Sequence, residues 1–229
     1  MRAIVTLSVL TACVPIPRDT ASLEGDPNSS SCPAWASISP EGSVRSFQTT
    51  ASYESSTGVA SQYVSEVVSI TPAGDGVEVL LVVDGVSQSE SWDSYVYRTT
   101  SIYRCDRQGA WVVSSTVDST LVQGGVTVES SAETVYTDSF IMPLDLELGD
   151  RWQSVFSGTT TTSSGTQSHS YAIDSEVSAT DTVTVGAGSY SALVISETFE
   201  DGRRSDYRVA DGPGFLLSEE YELVGYSNR

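Results

Sequence analysis

The most apolar stretch of the chain reads Asp75-Gly76-Val77-Glu78-Val79-Leu80-Leu81-Val82-Val83-Asp84-Gly85. Its Val residues favour strands, and an Asp-Gly pair at each end is typical of a hairpin turn. In a strand, the odd-numbered residues of 77–83 share one face, and Leu80 and Val82 lie on the other. We therefore predict a strand that is buried on both faces.

The same alternation extends along the chain in both directions. Strand-like runs occur near 44–54, 61–71, 95–105, 126–137, 152–160, 192–200, 205–210 and 215–226, with Gly-containing turn signals between them. No window has convincing helical periodicity, and residues 143–152 are the best place for a short helix or helical turn. The predicted fold is all-β and mainly antiparallel: a hairpin-connected curled sheet or half-open barrel with at most one short helix.

The N-terminus has the layout of an export signal. Met1-Arg2 precedes a short apolar run, which ends in Leu10-Thr11-Ala12-Cys13. This tetrapeptide resembles the lipobox of bacterial lipoproteins. The resemblance implies cleavage after Ala12 and a lipid on Cys13, and Val14, rather than Asp, implies sorting to the outer membrane. The alternative is an ordinary signal peptide with a chance Cys near its end.

These features divide the chain into three segments. Residues 1–12 are the expected lipoprotein signal peptide, and 13–31 are the lipidated Cys and a Pro-rich flexible tether. Residues 32–229 form one predicted β-rich domain. Several fatty chains on Cys13 would hold the protein firmly, so the membrane is its first expected partner.

Composition excludes several kinds of chemistry. The chain has 30 acidic and 11 basic residues, a net charge of −19, and one His; every basic residue is Arg. Without Lys there is no Schiff-base lysine and no phosphate-binding loop of the Lys-containing type. One His cannot build a multi-histidine zinc site. The negative surface repels nucleic acid, which we exclude as a partner.

Two cysteines remain after lipidation of Cys13. Cys32 and Cys105 are expected to pair, because cysteines outside the cytoplasm normally oxidise. The bridge would join the start of the domain to a predicted strand. The alternative is a pair of buried thiols, and a C-x-x-C redox motif is absent.

The C-terminal half carries an ordered set of motifs: Met142-Pro143-Leu144-Asp145-Leu146-Glu147-Leu148-Gly149-Asp150-Arg151-Trp152, then residues 183–195, then Gly212-Pro213-Gly214-Phe215-Leu216. They resemble the TapB-like and related uncharacterised β-rich families of secreted bacterial proteins and lipoproteins. The resemblance implies a half-barrel similar to the LolA/LolB-like lipoprotein carriers and brings no catalytic motif. Most motif side chains have core roles in this interpretation, with a lipid-lining role for some aromatic positions as the alternative: Trp152, Tyr190, Leu193, Ile195, Phe215 and Leu217.

The candidate catalytic and metal-ligating residues do not form a recognised motif. His169 is the sole imidazole base, and no G-x-S-x-G elbow accompanies it. Asp145, Glu147 and Asp150 offer oxygen ligands for Ca²⁺, but their spacing does not fit an EF-hand. Ser157 to Ser170 is interpreted as a long exposed hairpin loop, with O-glycosylation as the alternative. Arg203-Arg204 is interpreted as a solvated hairpin tip rather than an anion site. We assign no catalytic residue, metal or cofactor.

The leading functional hypothesis is a non-enzymatic outer-membrane lipoprotein that acts as a binding or structural module, with an envelope protein or apolar ligand as its partner. A lipid or hydrophobic-ligand carrier is the first alternative, and it requires a large apolar cavity. A carboxylate-dependent hydrolase is the second, and it requires His169 and two carboxylates to converge in one cleft.

Overall fold

The computed structural model describes residues 41–106, 108–143, 146–210 and 213–227. Within these ranges, strands account for most of the chain and one short helix is present. The elements are β1 (Val44–Thr49), α1 (Ala51–Thr57), β2 (Ala60–Ala73), β3 (Gly76–Ser89), β4 (Trp92–Asp106), β5 (Gly109–Gln123), β6 (Val126–Asp138), β7 (Phe140–Met142), β8 (Arg151–Thr162), β9 (Gly165–Val185), β10 (Gly188–Phe199), β11 (Arg204–Ala210), β12 (Gly214–Leu217) and β13 (Tyr221–Ser227).

All strand pairs are antiparallel, and twelve of the described strands form a closed barrel. Neighbours in sequence pair from β1 to β6 and from β8 to β13, while β6 pairs with β8. The ring closes where β1 pairs with β13. The extra strand, β7, pairs with β5. The predicted all-β antiparallel fold is confirmed, and the sheet closes more completely than a half-open barrel.

Inward side chains fill the core of the barrel. In β3, residues Val77, Val79, Leu81 and Val83 are each at most 2% exposed. Leu80 and Val82 on the other face are only half-buried, so the prediction that both faces are buried is wrong. Antiparallel sheets commonly keep one face wet, and β3 follows that rule.

Aromatic rings bridge the strands inside the barrel. The Phe47 ring stacks on Tyr63 at 4.6 Å between centroids and contacts Phe215 at 5.6 Å. Phe215 in turn contacts Tyr207 at 6.1 Å. The six motif residues predicted to serve the core are buried in it or packed against it, which confirms their structural role. These contacts join β1, β2, β11 and β12 into one packed unit.

The helix is not where the sequence placed it. Residues 146–150 form a loop with a turn, whereas α1 overlaps the end of the run 44–54 that was predicted as strand and extends beyond it. The Thr50 side chain caps α1 by accepting a hydrogen bond from Tyr53 N at 3.2 Å. Gly58 ends the helix in the left-handed region at φ 67°. No helix in the described part of the chain has the length and apolar character needed to cross a membrane.

The Ser- and Thr-rich segment is also more regular than predicted. β8 and β9 run through it as paired strands, with a tight turn at Ser163-Ser164. Its hydroxyl groups bond across the strands, as Ser157 does with Ser170 at 2.8 Å and Thr161 with Thr166 at 3.1 Å. The predicted hairpin is present and exposed, but it is a strand ladder rather than a loop.

Candidate functional site

The larger of the two described clefts lies on the outer face of strands β8 to β11. Its volume is about 1030 Å³. We call it the β8–β11 cleft. The lining is mainly polar and comes from all four strands and the β12–β13 turn: Arg151, Trp152, Gln153, Asp174, Ser175, Glu176, Ser178, Ser196, Thr198, Arg204, Ser205, Asp206, Arg208, Ser218 and Glu219.

Strand register arranges these side chains in rows across the sheet. One row runs Gln153, Asp174, Thr198, Arg204, and the next runs Arg151, Glu176, Ser196, Asp206. Side chains directly opposite each other in such rows are close enough to interact, with Cβ atoms about 4.5–5.5 Å apart. The rows therefore form a continuous polar floor.

The carboxylates on the β9 side of the cleft already have partners. Arg151 Nη2 donates to Glu176 Oε1 at 2.8 Å, and Gln153 Nε2 donates to Asp174 Oδ1 at 2.9 Å. Next to them, Ser196 Oγ donates to Ser178 Oγ at 2.8 Å. This side of the cleft is held in place by its own hydrogen bonds.

The β11 side differs, because Arg204 and Arg208 have no acidic partner within 4.0 Å among the described residues. The ion pairs that the described chain forms use other arginines: Arg98, Arg104, Arg151 and Arg203. Arg45 is buried and donates from Nε to the Pro213 carbonyl at 2.6 Å. Two guanidinium groups outside any described ion pair thus lie on one face of β11, with Asp206 between them.

Arg203 and Arg204 have separate environments, although the sequence interpretation treated them together. Arg203 Nε donates to Asp201 Oδ2 at 2.6 Å, and this side-chain bond lowers the pKa of Asp201. The Arg203 guanidinium also lies 5.1 Å from the Phe199 ring centroid. It is a hairpin-tip residue, as expected. Arg204, in contrast, lines the β8–β11 cleft.

The second cleft, of about 350 Å³, lies beside β7. Its lining mixes charged residues with Trp111, Val112, Val113 and Tyr136. Trp111 contacts Phe140 at 5.6 Å between centroids. Neither cleft provides the large apolar cavity that the carrier hypothesis requires.

His169 is surrounded by aromatic rings. It lies opposite Gly158 in the β8–β9 ladder, and its ring centroid is 5.7 Å from Tyr136 and 6.2 Å from Tyr171. No carboxylate of the described chain forms an ion pair with it. The described contacts of His169 therefore do not supply the acid–base–nucleophile arrangement that the hydrolase hypothesis requires.

The remaining predicted site residues are only partly within the described chain. Cys13 and Cys32 lie outside it, while Cys105 is fully buried in β4, so lipidation and the Cys32–Cys105 bridge stay predictions. Asp145 also lies outside. Asp150 Oδ2 accepts a hydrogen bond from Glu147 N at 2.7 Å, which commits that carboxylate to the local turn. No described group of three or more His, Cys, Asp or Glu residues is arranged to hold a metal ion.

The sequence reasoning missed the arginines of the cleft. The spacing Arg204-x-Asp206-x-Arg208 is a usable signal, because period two places all three charges on one face of a strand. Strand register, which brings them beside Thr198 and Ser196, is not visible in the sequence.

Glu197 was missed as well. It faces the interior and is 2% exposed, and among the described residues its Oε2 atom has no hydrogen-bond partner. Burial is the main cause that raises the pKa of its carboxyl to about 7, and a hydrogen bond from Tyr207 opposes this shift. Glu197 is thus a buried acid beneath the cleft rather than part of its surface.

Comparisons with protein-family models, curated proteins and solved structures find no match. The resemblance of the C-terminal half to TapB-like and LolA/LolB-like proteins therefore stays a prediction.

Proposed function

We propose that the chain is an outer-membrane lipoprotein whose β-barrel domain is a non-catalytic binding module and uses the β8–β11 cleft as its binding surface. The barrel fold is compatible with either a binding or a carrier module. The observation that favours binding is the cleft itself: it is large, polar and open, and its β11 side carries two arginines without acidic partners.

The carrier alternative has less support. An acyl chain gains its binding free energy from apolar surface removed from water, and this requires a continuous apolar cavity. Inward residues such as Val79, Ile195 and Leu223 fill the core, each 0% exposed. The larger described cleft has a mainly polar lining, and the smaller one mixes polar and apolar groups, so neither is a continuous apolar cavity.

Membrane attachment is the first part of the proposal to test. Trypsin cleaves after Arg18, so a processed and lipidated chain yields the peptide 13–18 with acyl groups on Cys13. Mass spectrometry of the protein from membranes should show this peptide. A Cys13→Ser variant should lose the modification. An unmodified N-terminus at another residue would refute the anchor.

Binding at the cleft is tested in the envelope itself. A photo-crosslinking amino acid at Thr198 lies in the cleft, and the same amino acid at Thr127 lies on an exposed part of β6 outside it. We expect illumination of intact cells to give a discrete adduct from Thr198 and none from Thr127. Equal labelling from the two positions, or none from either, would contradict a binding role for the cleft.

A further inference from the structure

The chemistry of the β8–β11 cleft specifies a class of ligand. We propose that the cleft binds an acidic oligosaccharide in which carboxylate-bearing sugars alternate with neutral sugars. This inference rests on the proposed binding function and adds the identity of the ligand class. It follows from the spacing of charges on β11, from the hydroxyl groups beside them and from the ligands that the cleft disfavours.

Arg204 and Arg208 are the anion-binding groups. They stand four residues apart on the same face of β11, which corresponds to about 13 Å along a strand. A guanidinium group matches a carboxylate in a bidentate pair, and neither arginine has to leave an internal ion pair to form one. Four other described arginines are already paired with Asp or Glu. The cleft thus presents two anion sites at a fixed separation.

Asp206 determines what lies between the two anions. It projects from β11 midway between Arg204 and Arg208, and its cross-strand neighbour is Ser196. A ligand carboxylate at this point would be repelled, whereas a sugar hydroxyl can donate a hydrogen bond to Asp206. The charges along β11 are positive at Arg204, negative at Asp206 and positive at Arg208. They therefore favour a ligand in which a neutral sugar lies between two anionic sugars.

The hydroxyl groups of the cleft complete its match to a sugar. Thr198 lies between Asp174 and Arg204 in one row, and Ser196 lies between Glu176 and Asp206 in the next. Ser178 and Ser196 are hydrogen-bonded to each other. Because each hydroxyl can both donate and accept, these side chains can follow the alternating donors and acceptors of a sugar chain.

Other ligand classes fit less well. A peptide that adds a strand needs an unpaired sheet edge, but β9 and β10 beneath the cleft pair on both sides. An apolar ligand would leave these charged groups without water or partners. Nucleic acid is disfavoured because a strand carries a phosphate at every nucleotide, so a negative charge would also meet Asp206 between the two arginines.

The test uses the mature lipoprotein in detergent and a fluorescent hyaluronan oligosaccharide, in which uronic acid and neutral sugars alternate. Fluorescence anisotropy in low-salt buffer should show saturable binding that weakens as salt is added. The same oligosaccharide with its carboxylates methyl-esterified keeps the sugars but loses the charge, and we expect it not to bind. Poly-glutamate keeps the charge without the sugars, and it should bind weakly.

A matched pair of double variants locates the site. R204Q/R208Q should lower the affinity at least about tenfold, because it removes two charge-assisted contacts. R98Q/R104Q removes the same charge from β4, outside the cleft, and should change the affinity by less than about twofold. Circular dichroism confirms that both variants are folded.

Each contrary result overturns a stated part of the inference. Equal binding of the methyl ester would refute the anion requirement, and equal loss in both double variants would refute the site. Absence of wild-type binding would refute the acidic oligosaccharide. In that last case a Thr198 adduct in cells would still support a binding module with another ligand, so the two proposals fail separately.

Discussion

At the scale of single residues, Glu197 makes the free energy of unfolding depend on pH. Its carboxyl is 2% exposed, opposite Ser175 and Ser205 in the neighbouring strands, and its pKa is raised to about 7 from 4.5. Below pH 4.5 the folded and unfolded chains are both protonated at this group. As the pH rises towards 7, the unfolded chain releases the proton first, so stability falls. The total loss is about 3 kcal/mol above pH 7.

We therefore expect Glu197→Gln to be more stable than the wild type at pH 8, with the advantage disappearing near pH 4.5. Urea unfolding at the two pH values measures this difference. Glu133→Gln, at an exposed position of β6, is the charge-matched control and should show no such change. A Glu197→Gln advantage that does not vary with pH would contradict a raised pKa.

A second residue-scale prediction concerns Gly85. Tyr97, its partner in β4, packs directly over it, and a Cβ atom at Gly85 would overlap the Tyr97 ring. Gly85→Ala should lower the free energy of unfolding by about 1–3 kcal/mol, because Tyr97 is buried and the ring must shift. Gly225→Ala is the control, since its Cβ would meet Ser46 only at an ordinary 3.5 Å. A similar loss in the free energy of unfolding for Gly85→Ala and Gly225→Ala would contradict an overlap with the Tyr97 ring.

At the scale of elements, the stability of α1 depends on the contacts at its ends rather than on a buried face. None of its residues is buried. Thr50 caps its N-terminus and also donates through Oγ1 to the Glu219 carbonyl at 2.6 Å. Thr50→Val should cost about 1 kcal/mol. Hydrogen exchange should show the loss locally, at the amides of α1 and the β12–β13 turn, and Thr50→Ser should restore protection. Unchanged exchange in Thr50→Val would rule out this dependence.

The same element shows where local sequence patterns stop being informative. Alternating Val and polar residues predicted the strands, because period two reflects a face that each strand buries on its own. Thr50 acts through a turn that is 169 residues away in sequence, and no local pattern encodes that contact. The cleft also depends on contacts that no local pattern encodes. The sequence shows that Arg204 is charged, but its position beside Thr198 depends on strand register.

At the scale of the whole molecule, closure of the β-barrel brings the two ends of the described chain together. β1 pairs with β13, so residues near 44 and 227 meet in the sheet. Hairpin turn signals predict which strands are neighbours in sequence and pair. They do not predict that β1 pairs with β13, because nearly the whole described chain lies between these two strands.

The predicted Cys32–Cys105 bridge would add a second long-range link. Cys105 lies fully buried in β4, and the bridge would close a loop of more than 70 residues, which in chain-entropy estimates is worth about 4 kcal/mol. Trypsin provides a direct assay because arginines flank both cysteines. Without reductant, peptide 19–45 should be joined to the short peptide 105–107, and reductant should separate them. Reduction should also lower the urea midpoint of the wild type, whereas a Cys32→Ser/Cys105→Ser variant should be insensitive to reductant. Detection of the two peptides unlinked in protein isolated under oxidising conditions would show that Cys32 and Cys105 are not paired.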